Sequence, residues 1–482
     1  MSFESWTGLG VVLAGHAFGL LAALHAVQNK KRNPSGALVW VLFCITVPFV
    51  GALFYLLIGY DRVTKKRRRS VRAAHVMYRE EMRERRSSDS DREATDPRVG
   101  GAVANECPFP SIQQLSEFPV RLGNAAEVTV GGAPTYDRML DAIRRARTSI
   151  RLQTYIFDDD DDGRSFASAL VERAAAGVHV RVLYDAVGTS SRGARLLSSI
   201  AVGNGKVAAF LPFHPLKRRF QINMRNHRKI LIVDDDRAFT GSHNISARHR
   251  RSGPDGSRDF MLDLRGRAVR DLADVFASDW RFATGERLPV TASTAVLDGD
   301  GQTLQVFDSG PDQVDGGVKN AILTALYQAR YDVLILTPYF IPPPELLTAV
   351  QSAAARRVRV RLLIPGRCSH RIMNWATRSF LTPLVNAGVE IHERPDAFLH
   401  MKLMVIDDTI AVAGSSNLDY RSFHLNFEAD VVAYGGSLHK ALRAVAEAEW
   451  TASTELRATR FHRLPYLERL LLRIAALFSP VL

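Results

Sequence analysis

Cysteine is almost missing from this chain. Three occur in 482 residues, Cys44, Cys107 and Cys368, and their spacing excludes both a disulfide framework and a cysteine-based zinc site. Acidic residues are also scarce relative to basic ones. Lys plus Arg number 63 against 50 Asp plus Glu, a net charge of +13 with a pI near 9.8. That balance favours polyanionic partners, either nucleic acid or an anionic membrane surface. Charge in general is modest, 23% of residues against 46% hydrophobic, so wholesale disorder is excluded and a large core is possible. At ~100–200 residues per domain, the length allows about two to four domains.

The N-terminal end lacks charge altogether over two long runs. Between Glu4 and Lys30 lie 25 residues with no formal charge, and between Arg32 and Asp61 another 28. A bilayer core needs ~20 apolar residues per helix, so two membrane-spanning helices are expected, near Trp6–Val27 and Ala37–Ile58, with Asn33-Pro34-Ser35-Gly36 as the turn. A cleaved signal peptide fits less well, because no basic segment precedes the first run and a second run follows it. A buried core hairpin fits less well on length. The cluster Lys65–Arg69, flanked by Arg62 and Arg72, outweighs Lys30, Lys31 and Arg32 in the turn, which places the C-terminal bulk in the cytoplasm. Residues 1–61 then form a transmembrane hairpin and 62–118 a basic and polar connector. Within the connector Arg79–Arg86 reads as helical and Ser87–Gly101 as polar coil.

The remainder reads as two copies of one unit, 119–290 and 291–450, followed by an amphipathic tail, 451–482. Each copy opens with a helix, Asp137–Arg147 and Val318–Arg330. A β-rich run follows (149–157 and 332–340), then an Ala-rich helix and a second strand (178–184 and 358–364). Strands alternating with helices predict α/β repeats around a largely buried sheet. The copies agree best at one motif. From His227 the first has Lys229 at +2, Asp234 at +7, Gly241 at +14, Ser242 at +15 and Asn244 at +17. From His400 the second has Lys402, Asp407, Gly414, Ser415 and Asn417 at the same offsets.

Residues at i and i+2 of a strand share a face, so His227 and Lys229 point together, as do His400 and Lys402. Asp234 and Asp407, at odd offsets, start on the other side or in the following turn, and as members of the repeated motif they are counted with the histidines and lysines as catalytic residues. Two imidazoles, two ammoniums and neutral donors from Ser and Asn, with no obvious metal-ligand set, suit a phosphodiester. One imidazole attacks phosphorus and the other protonates the leaving alkoxide. Lys229, Lys402, Asn244 and Asn417 stabilise charge on the non-bridging oxygens. A nucleophilic imidazole needs an acceptor for its second nitrogen. Glu428, 28 residues after His400, and Asp259, 32 after His227, are the expected orienting carboxylates, each within its own copy.

At these residues the sequence resembles the phospholipase D superfamily, whose signature is this doubled His-x-Lys-x4-Asp motif, and more narrowly the bacterial cardiolipin synthases. The matching residues are Trp40, Pro48, Gly51, Tyr55 and Gly59 in the N-terminal helices, Thr337-Pro-Tyr-Phe340, the run Gly414–Glu428, and the terminal Ser479-Pro-Val-Leu482. The resemblance implies two α/β halves about a pseudo-two-fold with one shared site, and phosphatidyl transfer through a phosphohistidine, with His227 favoured as nucleophile. It implies two phosphatidylglycerols giving cardiolipin and glycerol with no metal and no cofactor, at the inner membrane of a bacterial cell. The partners implied are phosphatidylglycerol, anionic lipids and the bilayer. Phosphatidylethanolamine stays open as second substrate, as does the oligomeric state. The first copy departs from the pattern at Asn244-Ile-Ser-Ala-Arg-His-Arg250, which lacks the aromatics expected there.

Other features carry two readings each. Asp158–Asp162 is a helix cap or a cation site. His370, Arg371 and Asn374 sit where a headgroup contact is possible. Arg218, Arg219 and Arg225 meet lipid or solvent. The tail from Pro465 lies on a membrane or packs on the catalytic domain. A hydrolase of lipid or nucleic-acid diesters is the competing activity, and the paired helices argue against nucleic acid. A lipid-binding scaffold without catalysis is the third reading, and it conflicts with two complete motifs.

Overall fold

In the computed structural model, which describes residues 3–29, 34–56, 110–212, 224–289, 301–311, 317–367, 371–456, 465–477 and 479, the uncharged N-terminal runs give three helices. These are Phe3–Asn29, Pro34–Thr46 and Pro48–Phe54. The second run was expected as one helix and is broken at Val47, because Pro48 stands at the first position of the third helix and has no N–H to continue the ladder. Bonds from Val47 N to Phe43 O (3.1 Å) and from Gly51 N to Val47 O (2.6 Å) carry the chain across the break. Pro34, placed in the expected turn, starts a helix instead. Small residues lie between the helices. A Cβ on Gly19 would stand 2.3 Å from Cys44 O, and Ala22, Ala23, Ala26 and Ala52 are buried while Leu13, Leu21, Leu38 and Val39 face outward. Among the described residues no helix is both long and apolar enough to cross a membrane.

The chain separates into two units, Met1–Ser70 and Val71–Leu482. Of the expected connector only 110–118 lies among the described residues; the basic cluster at 65–69, Arg218, Arg219 and His370 lie outside them.

The second unit is built on one sheet of sixteen strands. Leaving aside two strands of two residues, the first seven are β1 (Arg121–Val130), β2 (Ser149–Thr154), β3 (His179–Asp185), β4 (Lys206–Phe210), β5 (Ile230–Val233), β6 (Arg237–Gly241) and β7 (Phe260–Arg265). The next seven are β8 (Gln302–Ser309), β9 (Asp332–Leu336), β10 (Arg359–Pro365), β11 (Glu390–Arg394), β12 (Leu403–Ile406), β13 (Ile410–Gly414) and β14 (Asn426–Tyr434). The first set runs β4-β3-β2-β5-β6-β7-β1 and the second β8-β14-β13-β12-β9-β10-β11, so the order repeats in mirror sequence about the antiparallel β1–β8 join. Among these fourteen strands, β2-β3-β4 and β9-β10-β11 are the parallel sets, linked through helices such as Asp161–Ala175 and Pro344–Ala355. The rest is antiparallel, which makes the fold mixed α/β rather than uniformly alternating.

The apolar runs that follow each motif are the centre of each half. β5 and β12 are buried at every residue, as strands covered on both faces must be. Leu231 and Val233 join the cluster around Tyr136, Phe166 and Leu170, which leaves Ile230 and Ile232 for the opposite face. The strands end in tight turns where Asp234 and Asp407 take positive φ, 53° and 46°, a conformation Asp tolerates better than most residues.

Candidate active site

The histidines lie where the two halves exchange backbone. Arg225–Asn226 runs parallel to Asn426–Phe427 of β14, and His227 N donates to Phe427 O at 2.8 Å. Reciprocally, Phe398–Leu399 runs parallel to Ser257–Arg258, just before β7, and His400 N donates to Arg258 O at 2.9 Å. The next residue along each partner strand is a carboxylate. His227 Nδ1 therefore meets Glu428 Oε2 at 3.0 Å, and His400 Nδ1 meets Asp259 Oδ1 at 2.6 Å. The expected pairing within each copy is thus corrected: each carboxylate orients the histidine of the other half.

Both carboxylates are fully buried, Asp259 and Glu428 each at 0% exposure. Burial pushes His227 below the ordinary imidazole value and His400 further down. Burial alone would raise the carboxyls, but His400, His249 and His243 hold Asp259 well below the usual range, and His227, Lys229 and Ser415 hold Glu428 below it. Each pair is therefore a neutral imidazole donating Nδ1–H to a carboxylate, which leaves the Nε2 lone pair for chemistry.

Lys229 and Lys402 are also buried. Each Nζ donates to the carbonyl of its own motif histidine, at 2.6 and 2.7 Å, and His227–Lys229 and His400–Lys402 lie in the links between two strands rather than within one strand as expected. Burial brings Lys229 down to about 7 and Lys402 to about 8, and the charge of Lys402 contributes to lowering Lys229. Tyr155 closes the site on the first side, with its ring 4.9 Å from His227 and 5.6 Å from Lys229 Nζ. Phe398 lies 5.6 Å from the His400 ring.

The other expected site residues divide. Ser415 donates to Glu428 at 2.6 Å and accepts from Ala429 N. Ser242 instead bonds the backbone of Phe260. Asn244 Oδ1 accepts from Ile156 N and its Nδ2 meets His249 Nε2 at 3.2 Å. Asn417 Oδ1 is buried without a hydrogen-bond partner among the described residues.

Asp234 and Asp407, expected to be catalytic with the rest of the motif, are not brought to the site. Asp234 accepts backbone N–H bonds from Arg147, Thr148 and Ser149, and Asp407 from Arg330, Tyr331 and Asp332. Each ties the turn after the motif strand to the start of β2 or β9, a bracing role. Asp160 caps the helix Asp161–Ala175 through Gly163 N at 2.9 Å, the cap reading of the acidic run. Asn374 bonds Arg378 and Arg225 bonds Asp185. The tail helix Tyr466–Leu477 packs Ala475 with Ile341 and Ala376 while Tyr466, Leu467 and Leu477 stay exposed.

Two residues escaped the sequence reading. Arg228, between His and Lys, is buried and bonds Glu428 O (3.0 Å) and Asp279 Oδ2 (2.7 Å). His249 bonds Asp259 Oδ2 at 2.8 Å. Its signal was available, since it stands five residues after Asn244 as Ser422 stands five after Asn417, and Ser422 Oγ bonds Glu428 at 2.8 Å.

This architecture has a solved counterpart. The crystal structure of phosphatidylserine synthase from Haemophilus influenzae Rd KW20 aligns with a TM-score of 0.60 at 14% identity, covering 77% of this chain and 98% of that one. The family described as cardiolipin synthase, PLD-like domain, matches residues 139–280 and 322–450, and a phospholipase D-nuclease N-terminal family matches 17–59. Fold and matches define a phospholipase D-like enzyme with two repeats. Cardiolipin synthase A of Pseudomonas aeruginosa (strain LESB58) is 32% identical over 487 residues, covering 100% of this chain and 98% of the relative. Cardiolipin synthase of Geobacillus thermodenitrificans (strain NG80-2) is 32% identical over 501 residues, covering 100% and 96%. The chain belongs to the cardiolipin synthase family.

Proposed function

We propose that the protein is a membrane-bound phosphatidyltransferase that makes cardiolipin and glycerol from two phosphatidylglycerols through a phosphohistidine. The observation that carries this reading is the reciprocal pairing of His227 with Glu428 and His400 with Asp259, which sets two oriented imidazoles and two lysines at the join. His227 Nε2 attacks phosphorus of the first lipid, and the bond to the glycerol headgroup oxygen breaks as His400, which takes up a proton from solvent when the anionic diester enters beside it, gives that oxygen the proton. Glycerol leaves. His400, now neutral, takes the proton of a headgroup hydroxyl on the second phosphatidylglycerol. That oxygen attacks phosphorus, the P–N bond breaks, and His227 returns to its starting state. Lys229 and Lys402 become fully charged as the anionic diester enters and hold its non-bridging oxygens. One diester is exchanged for another, so no other energy source is needed.

The N-terminal helices hold this chemistry at the bilayer as two spans, with the catalytic unit on the cytoplasmic side of a bacterial inner membrane. Small residues between the helices and large apolar ones outward support this, since helices in lipid pack through small side chains. Residues 34–54 together reach the length that neither segment has alone. The basic cluster after them supports the orientation. Incubation of purified protein with labelled phosphatidylglycerol tests the reading: cardiolipin and free glycerol are expected in equal amounts. Phosphatidic acid as the sole product would replace the transferase with a hydrolase.

A further inference from the structure

We infer that the first half carries a transition-metal site made by His243, His249 and Asp259, and that an ion bound there loosens the hold on His400. This goes beyond the phosphatidyl-transfer reading, and its binding test does not depend on it.

One ligand atom from each of these three residues lies within 4.8 Å of the others, and all three residues are buried. His243 supplies the independent observation. Its side chain is 2% exposed, and neither ring nitrogen has a hydrogen-bond partner among the described residues. A buried imidazole left without a partner is costly. The second half shows what the same positions look like without a metal. His243, His249 and Asp259 correspond to Ser416, Ser422 and Glu428. There Ser416 Oγ donates to Asp430 and Ser422 Oγ to Glu428, so both hydroxyls are satisfied. The residue matching Asp430 is Met261, two places after the carboxylate, so His243 has no acid to meet. Hydroxyl, hydroxyl and carboxylate have become imidazole, imidazole and carboxylate, the donor set that suits Zn²⁺, Co²⁺ or Ni²⁺.

Coupling to the site runs through the two oxygens of Asp259. Oδ1 accepts from His400 Nδ1, and Oδ2 accepts from His249 Nδ1 and Ser257 Oγ. An ion on Oδ2 displaces the His249 bond and draws charge from the carboxylate, so the opposite oxygen holds His400 less firmly.

Full-length protein in detergent, stripped with a chelator, is titrated with Co²⁺ and followed by visible absorption. One Co²⁺ per chain with d–d bands is expected. His243→Phe keeps the edge contact with Tyr136 but removes both nitrogens, and is expected to weaken binding more than about tenfold. His243→Cys is expected to keep one Co²⁺ and add a thiolate-to-cobalt absorption, a signature that misfolding does not produce. Zn²⁺ at saturation is expected to slow turnover of the parent protein and leave His243→Phe unaffected. The site is overturned if no stoichiometric Co²⁺ binds, or if the spectrum is the same in all three proteins. Zn²⁺ that binds without slowing turnover overturns the coupling to His400.

Discussion

In the second half, Glu428 is surrounded by neutral donors: Ser415, Ser422 and Asn426 all reach it besides the imidazole of His227. In the first half, among the described residues, the carboxylate of Asp259 has only Ser257 and a second imidazole, His249, besides His400. The motif segments differ the other way round. Arg228 ties the His227 segment to Asp279 and to the carbonyls of Glu428 and Ser309, whereas its counterpart Met401 is simply buried. One duplicated fold therefore holds two imidazoles by different chemistry. A carboxylate fixed by hydroxyls keeps a constant environment, while one shared between two imidazoles responds to what happens at the second.

The bluntest way to break the comparison is to remove each histidine. His227→Ala and His400→Ala are each expected to lower cardiolipin formation by roughly 10³-fold or more. Brief incubation of His400→Asn with phosphatidylglycerol labelled in its phosphatidyl moiety is expected to leave label on the protein, and His227→Asn none. The reverse pattern would exchange the two roles.

Glu428→Gln and Asp259→Asn probe the crossing. Each is expected to cost roughly 10²-fold in kcat by loosening the imidazole of the opposite half. Glu428→Gln should suppress protein labelling, because His227 depends on it. If Glu428→Gln instead behaves like His400→Asn, the crossing is wrong.

The lysines predict the pH profile. Lys229, at about 7, faces Glu428, Asp259, Asp185 and Lys402; Lys402, at about 8, faces Asp259, Glu428, Asp419 and Asp430. Both are charged below these values and lose their protons above them. kcat/KM should therefore fall as pH rises through 7 to 8, by up to ~tenfold per pH unit. Asp430, pushed up to about 7 by burial, titrates in the same window, so Asp430→Asn serves as the control and should keep the alkaline limb.

The smallest effect on chemistry is expected at Asp234 and Asp407. Asp234→Ala and Asp407→Ala should each destabilise the fold by about 1–3 kcal/mol, measured by thermal unfolding, while turnover per folded molecule is unchanged. Burial opposes the ionised form of Asp234, but backbone donors from Ser149, Thr148 and Arg147 outweigh it and hold its carboxyl below 3.8. With the folded value depressed, its contribution is complete above 3.8 and is lost as pH falls through the lower folded value.

Much of this was legible from local sequence. The doubled spacing singled out both histidines and both lysines because it repeats, although they stand in the links ahead of β5 and β12 and not in the strands that the alternation argument assumed. The two motif aspartates were expected among the catalytic residues, and the structure gives them to the backbone of the turns instead. Pro48 announced the helix break, although two uncharged runs of membrane length masked it. The crossed carboxylates were not legible. They depend on two-residue parallel pairings between segments 201 and 141 residues apart, as the His227–Glu428 and His400–Asp259 bonds show, and no periodicity within either copy reports them. Arg228 was hidden for a similar reason: its partner Asp279 comes from the helix Arg267–Thr284, whose pattern says only that one face is buried.

Because each histidine takes both its backbone anchor and its carboxylate from the opposite repeat, neither repeat is a weaker version of the enzyme. A nascent chain that has completed only its first repeat holds His227 without Glu428 behind it. A fragment holding one repeat is therefore expected to form no cardiolipin, and the oriented pair at His227 exists only once Asn426–Tyr434 of the second repeat has joined the sheet.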